Sequence, residues 1–276
     1  MKHTVKEIRR YRNFNESERV QVRQITLNCH AVAGISFYKS AHNCSFLLSH
    51  ATLSYVIKGE KYMLVNKQEY VLKAGDLLYI PANSVVFTDI PETDSGFESC
   101  NIILSQELLQ ASGILFHRSQ LKNKTVFFEQ HHEIINIYRE FLKHLSAGCI
   151  EFLQTIFTKT QLLEDKTHSE KPDIIGLQHM NNALLEYIYQ PVDLPQLAHK
   201  SNMSLATFKR RFKSAFGQSP KTWIRNVRLQ AAYFHLKTGR QSVSDVSSFV
   251  GFENFAHFSY AFKKYFRTTP STLLLH

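Results

Sequence analysis

Apolar residues follow two rhythms along the chain, and the change from one to the other divides it. From about Val20 to Leu104, short runs rich in β-branched and aromatic residues alternate with turn residues: Val20 to Leu27, Gly34 to Tyr38, Leu53 to Ile57, Lys61 to Val65, Tyr70 to Lys73, Asp76 to Ile80, Val85 to Thr88 and Ser99 to Leu104. Runs of this kind predict strands, and their number and tight spacing predict a sandwich or small barrel. Lys58-Gly59-Glu60, Lys73-Ala74-Gly75-Asp76 and Pro81-Ala82-Asn83 supply the turns. Beyond Ser105 the spacing lengthens to that of helices. Ile134, Ile135, Tyr138, Phe141, Leu142 and Leu145 form one apolar stripe, Gly148 interrupts, and Phe152, Leu153, Ile156, Phe157 and Leu163 form a second. Two antiparallel helices packed on the sheets are expected, with dimerisation through an exposed stripe as the alternative. The polar, proline-bearing stretch Lys166 to Asp173 reads as a linker, and helical signals resume at Ile174.

The last third carries a duplicated pattern. Phe208, Phe212, Lys213, Phe216 and Pro220 find counterparts in Phe258, Phe262, Lys263, Phe266 and Pro270, each 50 residues on. Phenylalanines four apart share one helical face and leave the basic and polar residues on the other. Each copy follows a shorter helix signal with a capping-box start: Asp193 with Gln196 before Leu194 to Lys200, and Ser242 with Asp245 before Val243 to Phe249. Helix, tight turn and a second helix with a solvated face make a helix-turn-helix, here written twice over 193–216 and 242–266. Between the copies, Ser219 as N-cap, Pro220 as first residue and Trp223, Ile224, Val227, Ala231 and Phe234 at helical spacing predict one long helix ending at Gly239. A rod of about 27 Å would hold two reading helices roughly one DNA turn apart.

Charge sharpens this division. The chain of 276 residues has a net charge of +10. From residue 174 onward 13 Lys and Arg stand against four acids, a net +9, whereas 20 against 19 before it leave +1. A near-neutral front and a basic back suit a regulatory module joined to one that binds a polyanion. Neither an apolar run near membrane-spanning length nor a signal-peptide core is present, so a cytoplasmic protein is expected, with no membrane partner. Cys29, Cys44, Cys100 and Cys149 are scattered without a Cys-x-x-Cys pair and are expected in the core. His30, His42 and His50 are dispersed, and Leu53 to Leu104 contains no histidine, so no metal, cofactor or catalytic site is expected. The adjacent His131 and His132 cannot face one another on a helix. The basic N-terminus, with Lys2, Lys6, Arg9, Arg10 and Arg12, reads as a solvated arm or a phosphate-touching one.

With Phe208 and Phe212 turned inward, Ala206, Lys209, Arg210 and Lys213 project outward. Arg and Lys pair with guanine edges, and an alanine methyl suits thymine. The second copy exposes Asn254, Ala256, His257 and Tyr260 as readers, with Lys263 and Lys264 near phosphates. Ser204, Lys221, Arg225 and Arg228 are further phosphate candidates, with internal salt bridges the alternative for Arg225 and Arg228. Trp223 is expected in the core more than as a wedge into DNA.

Val243-Ser244-Asp245-Val246-Ser247-Ser248-Phe249-Val250-Gly251-Phe252, followed by Phe258, Ala261 to Phe266 and Thr269-Pro270, resembles the signature of the AraC/XylS family of transcription regulators. The family usually has Gly where this chain has Arg267. Leu72 to Pro81 after Gly59 resembles the cupin-type jelly roll at the front of many such regulators. Thr207-Phe208-Lys209, Gly217-x-Ser219-Pro220-x-x-Trp223-Ile224 and Arg228, with Leu53 to Glu60, are similar to the branch that activates type III secretion genes, the ExsA/LcrF type. The implied fold is α+β in two domains: a cupin-like β-barrel with packed helices over 1–165, a linker at 166–173 and an all-α DNA-binding domain over 174–276. The implied function is a virulence-type activator that binds double-stranded promoter DNA, acts with RNA polymerase, pairs as a homodimer through Ile134, Tyr138, Phe141, Leu142 and Leu145, and answers to an anti-activator protein. A sister branch closes its barrel on a fatty acid, which would make Lys39 or Lys61 the carboxylate partner of a small-molecule effector.

Overall fold

A computed structural model describes residues 20–27, 30–105, 124–129, 188–239 and 241–275, together with isolated positions between them. The dimer-stripe residues Ile134, Tyr138, Phe141, Leu142 and Leu145, the basic arm and the 166–173 linker lie outside the described residues.

Among the described residues the front half holds ten strands: β1 (Val20–Leu27), β2 (His30–Tyr38), β3 (His42–Leu47), β4 (Thr52–Lys58), β5 (Glu60–Val65), β6 (Gln68–Lys73), β7 (Leu77–Ile80), β8 (Val85–Ile90), β9 (Phe97–Ile103) and β10 (Val126–Phe128). They form two antiparallel sheets, ordered β1-β2-β9-β4-β7-β10 and β3-β8-β5-β6. The two sheets do not share a strand, so they form two facing layers instead of one closed ring of ladders. Side chains alternate across each strand, and both inner faces enclose a common interior that includes Tyr38, Val56, Met63, Leu78, Val86 and Phe97. At the β6–β7 turn the Asp76 carboxylate accepts the Lys73 N–H at 2.6 Å.

The back half is helical: α1 (Leu194–Lys200), α2 (Leu205–Phe216), α3 (Pro220–Thr238), α4 (Val243–Phe249) and α5 (Phe255–Phe266), closed by a 3₁₀ turn over Pro270–Leu275. Each of these five helices begins at a side-chain cap, which satisfies orphan N–H groups: Asp193, Ser204, Ser219, Ser242 and Asn254 each accept the N–H three residues on. The 19-residue rod α3 is about 28 Å long at ~1.5 Å per residue. Most of its circumference is buried, and its apolar cluster takes in Phe208 and Phe212 of α2, Val246 and Val250 around α4, and Phe258 and Phe262 of α5. The same cluster reaches Leu47, Leu64, Val85 and Phe87 on the outer face of the four-stranded sheet, so the front domain rests directly on the rod.

Candidate nucleic-acid interface

Both copies of the repeated module are assembled by the same aromatic contacts. Phe208 and Phe212 are fully buried with rings 5.6 Å apart, and Phe258 and Phe262 repeat that spacing at 5.6 Å. The rod closes each stack with one aromatic: Trp223 stands 5.2 Å from Phe216, and Tyr233 stands 4.6 Å from Phe266. Trp223 is therefore a core residue, 4% exposed. The register of the repeat differs between its parts. The second helices repeat at an offset of 50, whereas α1 and α4 begin at Leu194 and Val243, 49 apart, because the second turn is one residue longer. Asn202 in the first turn and Gly251 in the second both adopt positive φ, +54° and +77°.

Burying the phenylalanines fixes what faces outward. Ala206, Lys209, Arg210 and Lys213 on α2 are exposed, as are Arg211 and, on α5, Ala256, His257, Tyr260, Lys263 and Lys264. Asn254 is exposed too, but its Oδ1 caps α5 by accepting the His257 N–H at 2.8 Å, which leaves its amide N–H groups for a ligand. Phe255, at the start of α5, is 50% exposed, and Tyr260 on the same helix is 67% exposed. Phe255 is the first residue of the helix, three before the buried Phe258, and the sequence reading did not single it out.

The phosphate candidates divide. Lys221 and Arg225 are exposed on the rod. Arg228 is not available in that way: one guanidinium nitrogen donates to the Gly251 carbonyl at 2.7 Å and another to the Gln190 carbonyl at 2.5 Å. Desolvation lowers its pKa, against the opposing pull of Glu253. Arg228 thus ties the rod to the second turn, and a Cβ at Gly251 would stand 2.8 Å from its guanidinium carbon. Ser204 is likewise occupied, accepting the Thr207 N–H and donating to the Thr207 hydroxyl at 3.0 Å. Both are structural parts of the modules.

The end of α5 shows what Arg267 does. It takes φ +63°, ψ +15° and donates its N–H to the Lys263 carbonyl at 2.9 Å. Gly217 ends α2 in the same way, with φ +71° and a 2.9 Å bond to the Lys213 carbonyl. The left-handed cap is thus present in both modules, with a side chain on one of them.

Inside the front domain a cavity of about 110 Å³ lies between the sheets. Its walls are mainly apolar, including Phe46, Met63, Ile80 and Ile90, and one cation enters it. Lys61, only 5% exposed, donates to the Ser54 hydroxyl at 2.9 Å, which in turn donates to Asn101 Oδ1 at 2.7 Å. Its ammonium also lies 5.6 Å from the Phe97 ring centroid. Lys39 is instead exposed on the turn after β2 and does not line the cavity, so the structure separates the two lysines. Among the described residues no group of three or more His, Cys, Asp or Glu converges as a metal site would require. None of the described helices is long and apolar enough to cross a membrane.

Two cation-faced helices mounted on one rod define a tandem helix-turn-helix DNA-binding protein. Residues 197–275 match the helix-turn-helix domain family, and residues 51–186 match the ExsA N-terminal regulatory domain. A Haemophilus influenzae protein described as an uncharacterized HTH-type transcriptional regulator is 27% identical, over 78% of this chain and 82% of its own length. The thermoregulatory protein LcrF of Yersinia pestis is 30% identical over 35% of this chain and 38% of its own. The HTH-type transcriptional regulator ExsA of Pseudomonas aeruginosa is 32% identical over 28% of each. The matches to LcrF and ExsA thus cover well under half of those proteins. The chain belongs to the AraC family of helix-turn-helix transcription regulators, with an ExsA-type front domain.

Proposed function

We propose that this protein is a sequence-specific transcriptional activator of the virulence or type III secretion kind, reading promoter DNA through α2 and α5 and acting with RNA polymerase. It has no catalytic role in this reading. Residues 174–276 form the DNA-binding domain, 166–173 the linker and 1–165 a cupin-like regulatory and dimerisation domain that answers to a partner protein. The observation that carries the reading is the paired burial of Phe208–Phe212 and Phe258–Phe262, which turns Lys209, Arg210 and Lys213 to solvent on one helix and Ala256, His257 and Tyr260 on the other. Guanine edges suit the cations of α2. The weakly basic front of α5, with Phe255 and Tyr260, suits contacts to methyl groups, sugars and DNA shape. Lys209→Ala and Arg210→Ala are each expected to cost ~1 to 3 kcal/mol on the preferred site and to relax the base preference at one or two positions. Competition binding against single-base variants measures this; equal losses on specific and random duplexes would refute base reading.

A second reading, a small-molecule effector, is favoured by Lys61. An ammonium held in a largely apolar cavity suits a slender apolar acid, whose carboxylate would join the Lys61–Ser54–Asn101 chain. Palmitoleate is then expected to raise the melting temperature of the wild-type chain and not that of Lys61→Met. Equal response, or none, in both would leave protein-partner control as the sole reading.

A further inference from the structure

Successive residues of β5 serve two different neighbours. Lys61 and Met63 point into the cavity, while Tyr62 and Leu64 pack with the cluster around the rod. On β8 the same alternation sends Val86 and Thr88 inward and Val85 and Phe87 outward. Phe234 of α3 is held between Tyr62, stacked at 6.0 Å and 17°, and Phe87 at 5.6 Å. Beside this apolar contact Glu69 on β6 accepts the Tyr233 hydroxyl, and its other oxygen lies 3.3 Å from the Lys237 ammonium.

The turn joining β5 to β6 reaches further. Lys67 stands 3.7 Å above the ring of Tyr265 on α5, and the hydroxyl of that ring receives the Gln230 amide of the rod at 3.1 Å. The same turn, with Asn83, borders a cleft of about 550 Å³ whose opposite wall includes Ser214, Phe216 and Gly217 at the end of α2. One hairpin therefore grips the rod, touches α5 and faces the end of α2. Meanwhile Ala206, Lys209, Arg210, Lys213, Ala256 and Tyr260 all stay exposed, so the front domain does not cover the reading faces.

We infer that the β5–β6 hairpin is a clamp that fixes the two reading helices relative to one another, with Glu69 as its polar catch. The front domain then controls how well the chain engages two adjacent half-sites at once, without blocking either. This rests on the DNA-reading proposal. Its physical basis is that simultaneous engagement depends on how much of the bound geometry exists beforehand.

The test uses the full chain and two duplexes: one selected from a random pool by the wild-type protein, and the same duplex with one half-site scrambled. Glu69→Ala is expected to lose roughly tenfold affinity on the intact duplex, the scale of one charged hydrogen bond, and little on the scrambled one. Lys67→Ala, at an exposed position that does not endanger folding, should show a smaller loss of the same kind. Equal losses on both duplexes, or no loss from either variant, would overturn the clamp. Failure of the wild-type chain to select any duplex would instead strike the DNA-reading proposal itself.

Discussion

Arg267 and Gly217 hold equivalent places in the two modules and nearly the same backbone conformation, φ +63° and +71°. A side chain in that conformation costs about 1 kcal/mol relative to glycine, partly offset here by a cation at a helix C-terminus. Arg267→Gly is therefore expected to raise stability by up to about 1 kcal/mol. Gly217→Ala should lower it by a similar amount through φ alone, since an added Cβ would meet nothing within 4 Å. Urea midpoints at unchanged slope measure both; a fall in the midpoint for Arg267→Gly would mean that the arginine contributes more than its backbone costs. The repeat aligns Arg267 with a helix-ending glycine, which raised the question of a left-handed end without answering it; the φ of +63° answers it. The fate of Arg228 was not legible in the sequence: its spacing puts it on one side of the rod with Lys221 and Arg225, and only the arrival of Gly251 and Gln190 turns it inward.

At the scale of elements, the helical repeat was readable nearly to the residue because each helix announces itself locally. Asp193, Ser219 and Ser242 cap it, Pro195 and Pro220 fit its first turn, and phenylalanines four apart mark its buried face. Strands signal more weakly. Val20–Leu27 was legible in full, whereas β3 (His42–Leu47) was missed because His42-Asn43-Cys44-Ser45 carries little apolar alternation. β10 was missed because three residues, Val126–Phe128, are too few for a period and gain their ladder only by pairing with the distant Leu77–Tyr79. Two features of the site were hidden for the same reason. Phe255 follows the apolar rhythm and yet stands half in solvent, and Lys61 sits in a run that predicts a strand but not which of its faces meets the cavity. The alternation that carries Lys61 inward carries Tyr62 outward, and a sheet packed on both faces makes both positions consequential.

For the molecule as a whole, the unequal sharing of charge makes a demand that bulk composition alone would overstate. The net +9 from residue 174 onward counts Arg228, which is bound to two carbonyls, and Lys237, which is paired with Glu69. Neither is an uncommitted cation, whereas Lys221, Arg225, Lys263 and Lys264 are exposed. Each phosphate neutralised releases counterions and steepens the fall of affinity with salt by about 0.9 on logarithmic axes. Lys221→Ala is expected to reduce that slope by about 1, with near-uniform loss across DNA sequences. Arg228→Ala should leave the slope unchanged while lowering the melting temperature, since it frees a carbonyl at the second turn and unties the rod from it. Titrations of one duplex across a salt series, paired with thermal unfolding of the same preparations, separate the two. A shallower slope for Arg228→Ala at wild-type stability would return that residue to the phosphate-binding set and loosen the second module from the rod.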